Sequence, residues 1–202
     1  MMFQLAIKYD GHNISYPCLA EKKIDGARCQ IYTRGDIWRA RSRQGTDWTA
    51  KLELIGRRLT ALARGYSADA ERGITWDMEL SAGSRGKTSG ALKRGGASAV
   101  VGSELHARLF DAFFCDGELW GDSASQLDRS ASLKRAMYPD GMLSIIRPAT
   151  INSEDDLIAY YLVCLSVGYE GIVAKDPEAG YCAGRTGAWV KLKPNNPILK
   201  GV

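Results

Sequence analysis

Residues 27–43 constrain the fold most tightly. Ala27, Cys29 and Ile31 alternate with Arg28, Gln30 and Tyr32, the two-residue period of a half-buried strand. Thr33-Arg34-Gly35-Asp36 follows and reads as a turn. Beyond it, Trp38, Ala40 and Ser42 alternate with Arg39, Arg41 and Arg43. Two such runs about a tight turn form an antiparallel hairpin.

The rest of the chain punctuates in the same short units. An earlier strand signal covers 18–23. Leu52, Ile55, Leu59 and Leu62 recur at helical spacing within 48–64, and Gly65 can stop that helix. Strands are expected at 73–80 and 105–114, separated by a Gly-rich connection over 81–102. A helix is expected at 125–137 and a strand at 144–149. Asn152 or Ser153 can cap a helix whose first turn carries Glu154, Asp155 and Asp156, a good match to the helix dipole, and Gly168 can end it. Strand-like runs at 170–175 and 188–193 flank the polar loop 176–187. Strands predominate over three helices, without the strict strand–helix alternation of a doubly wound fold. Neither GxGxxG nor GxxxxGK[ST] occurs, so a bound nucleotide would need another kind of cradle.

With 202 residues the chain can build one sizeable core or two lobes around a cleft. Its 45% hydrophobic and 25% charged residues are those of an ordinary globular protein. No apolar run reaches membrane-spanning length, and the first residues lack a secretory signal pattern. A net charge of +4 permits a phosphate-rich partner without demanding one. The 5 cysteines, Cys18, Cys29, Cys115, Cys164 and Cys182, have neither zinc-finger nor CxxC spacing. Reduced thiols and a cytoplasmic location are the expectation.

Lys23-Ile24-Asp25-Gly26-Ala27-Arg28 carries the chemistry. A lysine becomes a nucleophile when neighbouring cations or desolvation favour its neutral amine. Lys22 and Arg28 are cations close in sequence. Gly26 permits a tight turn and close approach to a ligand, and Asp25 could orient the lysine or help hold a metal. The four-residue KxDG pattern alone should occur by chance in roughly one chain of this size in twenty-five. Lys8-Tyr9-Asp10-Gly11 repeats it here, but has Asn13 where the second copy has Arg28. For Lys8 an ordinary surface role is the expectation.

KxDGxR resembles the adenylation motif of covalent nucleotidyltransferases, the group of DNA ligases, some RNA ligases and messenger-RNA capping enzymes. Further elements resemble that family's series, in its order. Ser42-Arg43-Gln44-Gly45 resembles SRxG. Asp77-Met78-Glu79-Leu80 resembles DGEL, with Met78 in place of glycine. Leu109-Phe110-Asp111-Ala112 resembles the aromatic-Asp element. Glu170-Gly171-Ile172-Val173-Ala174-Lys175 resembles EGxVxK, and Trp189-Val190-Lys191-Leu192-Lys193-Pro194 resembles WxKxKP. The last two favour an ATP-dependent DNA ligase, most like those of small tailed bacteriophages.

The resemblance implies an α+β fold, with two antiparallel sheets and flanking helices around a nucleotide cleft, an ATP-grasp-like nucleotidyltransferase domain over 1–194. It implies that Lys23 attacks the α-phosphate of ATP, giving lysyl-AMP, with Asp25, Arg28, Lys191 and Lys193 in the catalytic set. Glu21 is similar to the residue that reads the adenine amino group. Arg28 and Glu79 match residues around the ribose and nick phosphate, Arg43 one near the phosphates, and Phe110 the aromatic on adenine. Lys22 joins the nucleotide contacts, and Glu79 and Glu170 are the Mg²⁺ ligands implied. Two residues apart on a strand, Lys191 and Lys193 share a face, as do Asp77 and Glu79. The partner implied is nicked double-stranded DNA, bound by a monomer, with no membrane. An OB-type barrel usually follows KxKP in this family. Residues 195–202 are too few for one, so that domain is expected to be absent, with 195–202 starting the linker. The nearest rival readings are an RNA ligase or a GTP-using capping enzyme, and more remotely a non-catalytic nucleic-acid-binding module.

Overall fold

A computed structural model describes residues 3–66, 73–93, 105–115, 121–122, 124–136 and 140–196. Two compact units divide the chain. One comprises Asp25–Asp122 and Arg129–Ile146, the other Met2–Ile24, Ser123–Asp128 and Arg147–Val202. The elements in chain order are β1 (Gln4–Lys8), β2 (Cys18–Lys23), β3 (Ala27–Arg34), β4 (Ile37–Ser42), α1 (Glu53–Tyr66), β5 (Gly73–Ser81), α2 (Arg85–Lys93), β6 (His106–Cys115), β7 (Gly121–Asp122), α3 (Gln126–Ala136), β8 (Leu143–Ile145), β9 (Ala149–Ile151), α4 (Glu154–Ser166), β10 (Gly171–Lys175), β11 (Tyr181–Cys182) and β12 (Gly184–Leu192).

In the unit that begins at Asp25, the expected hairpin is β3 and β4, paired from Cys29 opposite Ser42 to Arg34 opposite Ile37. Its turn places Gly35 at φ 53°. The sheet order is β4-β3-β5-β6-β8, antiparallel except for the parallel edge pair of β6 and β8. Cys29, Ile31 and Ala40 turn inward with Ile74, Trp76, Met78 and Leu80, and Leu52 with Ile55 and Leu59 of α1 completes the core. The helix approaches closely because Gly56 lacks a side chain: a Cβ there would lie 2.3 Å from the Trp38 ring. The helix expected from 48 starts instead as a 3₁₀ turn over Thr49–Lys51, and α1 follows at Glu53.

Helix α2 lies inside the stretch read as a Gly-rich connection. Gly86 and Gly90 weaken its helical signal, but neither faces a neighbouring atom within 4 Å. Its apolar side is short, with Thr88, Ala91 and Leu92 buried. Thr88 anchors it by accepting from the Ala82 N–H at 2.8 Å. Residues 94–102 of the expected connection, and Met137 at the end of the expected helix 125–137, lie outside the described residues. The strand expected at 144–149 is divided. β8 joins β6, whereas β9 joins β2 in the other unit, and Pro148 interrupts the run between them.

In the unit that begins at Met2, the sheet order is β1-β12-β10-β2-β9, again antiparallel with one parallel edge pair, β1 and β12. The expected antiparallel sheets are therefore present, each extended by a parallel edge strand. One face of this sheet, with Cys18, Ala20, Ile172, Ala174, Val190 and Leu192, packs on Leu157, Tyr161 and Cys164 of α4. Ser153 caps α4, its hydroxyl accepting from the Asp156 N–H at 3.2 Å. Strand β1 has inverted polarity for a sequence reading: Gln4 is fully buried while Leu5 and Ile7 are half-buried. The Gln4 amide is satisfied by accepting from the Cys182 N–H at 2.9 Å and donating to Thr186 Oγ1 at 3.2 Å. Among the described residues no helix is long and apolar enough to cross a membrane.

Candidate active site

The two-residue strand period sorts the functional side chains of the unit that begins at Met2. Ala20, Ile172, Ala174, Val190 and Leu192 face α4. The alternate residues, Glu21 and Lys23 of β2, Val173 and Lys175 of β10, and Trp189 and Lys191 of β12, therefore occupy the other face. The register aligns them: Lys23 opposite Gly171, Glu21 opposite Val173, Val173 opposite Lys191, and Lys175 opposite Trp189. Lys22 falls on the α4 side, its Nζ 5.1 Å from the centroid of the Tyr169 ring.

Glu170 joins the two outermost lysines of this face. The Lys23 ammonium donates to Glu170 Oε2, and the Lys193 ammonium donates to Oε1. Burial acts to raise the Glu170 carboxyl, but hydrogen bonds from Lys193 and Lys23 outweigh it and hold the group below its ordinary value. The backbone secures the same junction, because the Glu170 N–H donates to the Lys23 carbonyl at 3.0 Å. Gly171 lets the strands meet there. Its φ is 138°, and a Cβ would lie 2.0 Å from the Leu192 carbonyl oxygen.

Deeper on this face, Lys175 Nζ lies 2.8 Å from Glu21 Oε2, and both side chains are almost fully buried. The ammonium also sits 4.5 Å from the Trp189 ring centroid. The Trp189 indole N–H donates to Gln126 at 3.1 Å. Glu21 is thereby held as a buried carboxylate with a fixed cation.

The unit that begins at Asp25 holds a second constellation. Arg28 donates through Nε to Asp77 Oδ1 at 2.9 Å and through Nη2 to Oδ2 at 2.7 Å, a bidentate pair. Gln30 donates to the same Oδ2 at 2.9 Å. The Arg28 guanidinium lies 5.1 Å from the Phe110 ring centroid. Phe110 is the extra residue of a bulge: Asp77 pairs with Asp111 and Met78 with Leu109, so the register skips it. Bulges re-aim side chains. Glu79 pairs with Arg28 on one side and Arg108 on the other. Arg43 is exposed at the turn after β4, where its N–H donates to the Arg28 carbonyl at 3.3 Å and Gly45 adopts φ 88°. Asp25 is exposed between β2 and β3. Gly26 is required by close approach, since a Cβ would lie 2.2 Å from the Leu80 carbonyl oxygen.

The other KxDG copy serves structure. The Asn13 side chain donates to the Lys8 carbonyl at 2.7 Å, and Asp10 accepts from the His12 N–H at 3.0 Å. Tyr9 is buried with its hydroxyl on Glu154. Sequence reasoning overlooked the partners that hold the site: Lys175 for Glu21, Asp77 for Arg28, Gln30 for Asp77, and Arg129 for Asp111. Lys175 and Asp77 stood inside quoted motifs, whereas no local pattern marks Arg129. Among the described residues no three His, Cys, Asp or Glu gather as a metal cage. Glu170, a partly exposed carboxylate, suits Mg²⁺ held largely by phosphate oxygens and water.

Residues 4–193 match the model of the ATP dependent DNA ligase domain. A probable DNA ligase of Streptomyces griseus subsp. griseus is 33% identical over 192 residues, covering 88% of this chain and 36% of that protein. The chain thus spans about a third of the length of this relative. Among solved structures, the ATP-dependent DNA ligase from bacteriophage T7 in complex with ATP superposes with a TM-score of 0.77 at 20% identity, covering 96% of this chain and 68% of that one. The Chlorella virus DNA ligase-adenylate gives 0.69 at 22% identity, covering 96% and 69%. At these identities the two structures speak for the fold.

Proposed function

The chain belongs to the ATP-dependent DNA ligase domain family, and from that premise we propose that it carries out covalent adenylation at Lys23 and serves the sealing of nicks in double-stranded DNA. The junction of Lys23, Glu170 and Lys193 carries this reading. Glu170 orients the Lys23 side chain, and Lys193 brings a second cation to the same carboxylate.

In the first step Lys23, once its ammonium has lost a proton to solvent, attacks the α-phosphorus of ATP. A nitrogen–phosphorus bond forms, the bond from the α-phosphorus to the bridging oxygen breaks, and pyrophosphate departs with that electron pair. Lys191 and Lys193 stabilise charge gathering on the phosphates. Glu21 receives the adenine amino group, Phe110 stacks on the base, and Arg28, Arg43 and Glu79 bind ribose and phosphate. Glu79 and Glu170 would be the residues to hold Mg²⁺, which would supply neutralisation of phosphate charge. AMP then passes to the 5′-phosphate of a nick, and the 3′-hydroxyl displaces it to form the phosphodiester bond. We assign 1–194 to one nucleotidyltransferase domain, with 195–202 leading out of it, and infer a cytoplasmic monomer.

Intact-protein mass spectrometry after incubation with ATP and Mg²⁺ tests the core of this reading. One AMP should add to the wild type and to Lys8→Ala, and none to Lys23→Ala. An adduct that persists in Lys23→Ala overturns it. GTP in place of ATP, and nicked RNA in place of nicked DNA, separate this activity from those of capping enzymes and RNA ligases.

A further inference from the structure

Two buried carboxylates stand directly opposite each other in the unit that begins at Asp25. Asp77 of β5 and Asp111 of β6 are register partners, and both are fully buried. Like charges placed opposite on neighbouring strands destabilise a sheet, and an uncompensated buried charge costs far more. Each carboxylate has its own arginine. Arg28 takes Asp77 as described. Arg129 of α3, itself only 2% exposed, donates through Nε to Asp111 Oδ1 at 2.9 Å and through Nη2 to Oδ2 at 3.1 Å. The Ala112 N–H also donates to Asp111 Oδ1 at 2.9 Å. The bulge that carries Phe110 immediately precedes Asp111.

We propose that Arg129 is a positioning residue for adenylation, acting through Asp111 on Arg28 and Phe110. By neutralising Asp111, it leaves Arg28 as the partner of Asp77 and fixes the β6 backbone beside the bulge. Without it, Asp111 has no cation of its own beside Asp77 and competes for the Arg28 guanidinium, and the cation–ring contact of Arg28 with Phe110 loosens. Arg129 itself touches no reacting atom. The inference rests on the adenylation reading for its kinetic consequence but not for its structural one.

The test compares Arg129→Met with the double variant Arg129→Met/Asp111→Asn, which removes the uncompensated charge along with the cation. Two readouts are needed. The first is the NMR signal of the Arg28 Nε–H, assigned with Arg28→Lys, in protein without nucleotide. It should shift or broaden in Arg129→Met and return toward the wild-type position in the double variant. The second is AMP-adduct formation against ATP concentration, corrected for folded protein. In Arg129→Met the half-saturating ATP concentration should rise by about tenfold, and the double variant should recover most of that rise. A folded Arg129→Met protein with an unchanged Arg28 signal and unchanged ATP dependence overturns the proposal. So does a double variant as impaired as the single one. Should Arg129→Met fail to fold, the soluble double variant with a displaced Arg28 signal also overturns it. A wild-type chain that never acquires AMP counts against the adenylation reading alone, since the NMR comparison stands without nucleotide.

Discussion

Lys23 and Glu170 are joined twice, once by the Glu170 N–H to the Lys23 carbonyl and once by the Lys23 ammonium to the Glu170 carboxylate. The backbone bond sets the end of β2 beside the start of β10, and the side-chain bond then fixes the lysine's long flexible stem. Glu170→Gln keeps the first bond and weakens the second. Adduct formation at saturating ATP should fall on the order of a hundredfold, the scale of removing one preorganised polar group from a reacting centre. A time course by mass spectrometry measures it, and a wild-type rate in Glu170→Gln would remove the carboxylate from the step.

The same pair makes stability depend on pH in a definite direction. The Glu170 carboxyl lies below its ordinary value of 4.5 because Lys193 and Lys23 outweigh the effect of burial. A carboxylate whose folded value is depressed adds stability that is complete above the ordinary value and is lost as pH falls through the folded one. The urea midpoints of wild type and Glu170→Gln should therefore differ near neutrality and converge in acid, below pH 4.5. A gap that keeps its size into acid would show that the charge is not its source.

Gly171 adopts φ 138° with the Leu192 carbonyl oxygen 2.0 Å from where a Cβ would be. The obstacle is backbone and cannot swing aside. Gly171→Ala should cost about 2–4 kcal/mol, from the conformation and the clash together. Gly187, in β12 with no neighbouring atom within 4 Å of its Cβ position, supplies the control, and Gly187→Ala should stay within about 0.5 kcal/mol of wild type. Urea unfolding of both variants decides this, and equal effects would contradict the close approach.

Local pattern made most of the longer strands and most helices legible, because each buries one face and repeats accordingly, but β1 and β7 went unmarked and the expected loop 176–187 holds β11 and the start of β12. Residues 18–23 are β2 without change, and Ser153 caps α4. Pattern failed where burial opposes polarity. Gln4 is buried through hydrogen bonds to Cys182 and Thr186, partners 178 and 182 residues away. It failed again at α2, whose buried side, among the described residues, is the short set Thr88, Ala91 and Leu92. At the site, the candidate residues were named through the ordered motifs and the family resemblance they carry. Their supports were not, since Arg28 finds Asp77 across 49 positions and Arg129 finds Asp111 across 18. The first distance is closed by strand register and the second by a side chain of α3 reaching β6, and no window of sequence displays either.

Arg28 shows what that register demands of residue type. Its planar fork makes two parallel bonds to Asp77, which is fully buried. Lysine offers a single ammonium point and cannot reproduce the fork. Arg28→Lys keeps the charge, so its cost isolates geometry, and it should destabilise by about 1–3 kcal/mol as Asp77 loses a charged hydrogen bond. Asp77→Asn should be costly too. The two changes made together should cost less than their sum by more than about 1 kcal/mol, because each removes the same contact. Arg39→Lys, at an exposed position of β4, should change stability by less than about 0.5 kcal/mol. Urea denaturation of the four variants completes the cycle. Strict additivity of Arg28→Lys and Asp77→Asn would mean that Arg28 is held by something other than Asp77, and would also deprive Arg129 of the route by which it acts on Arg28.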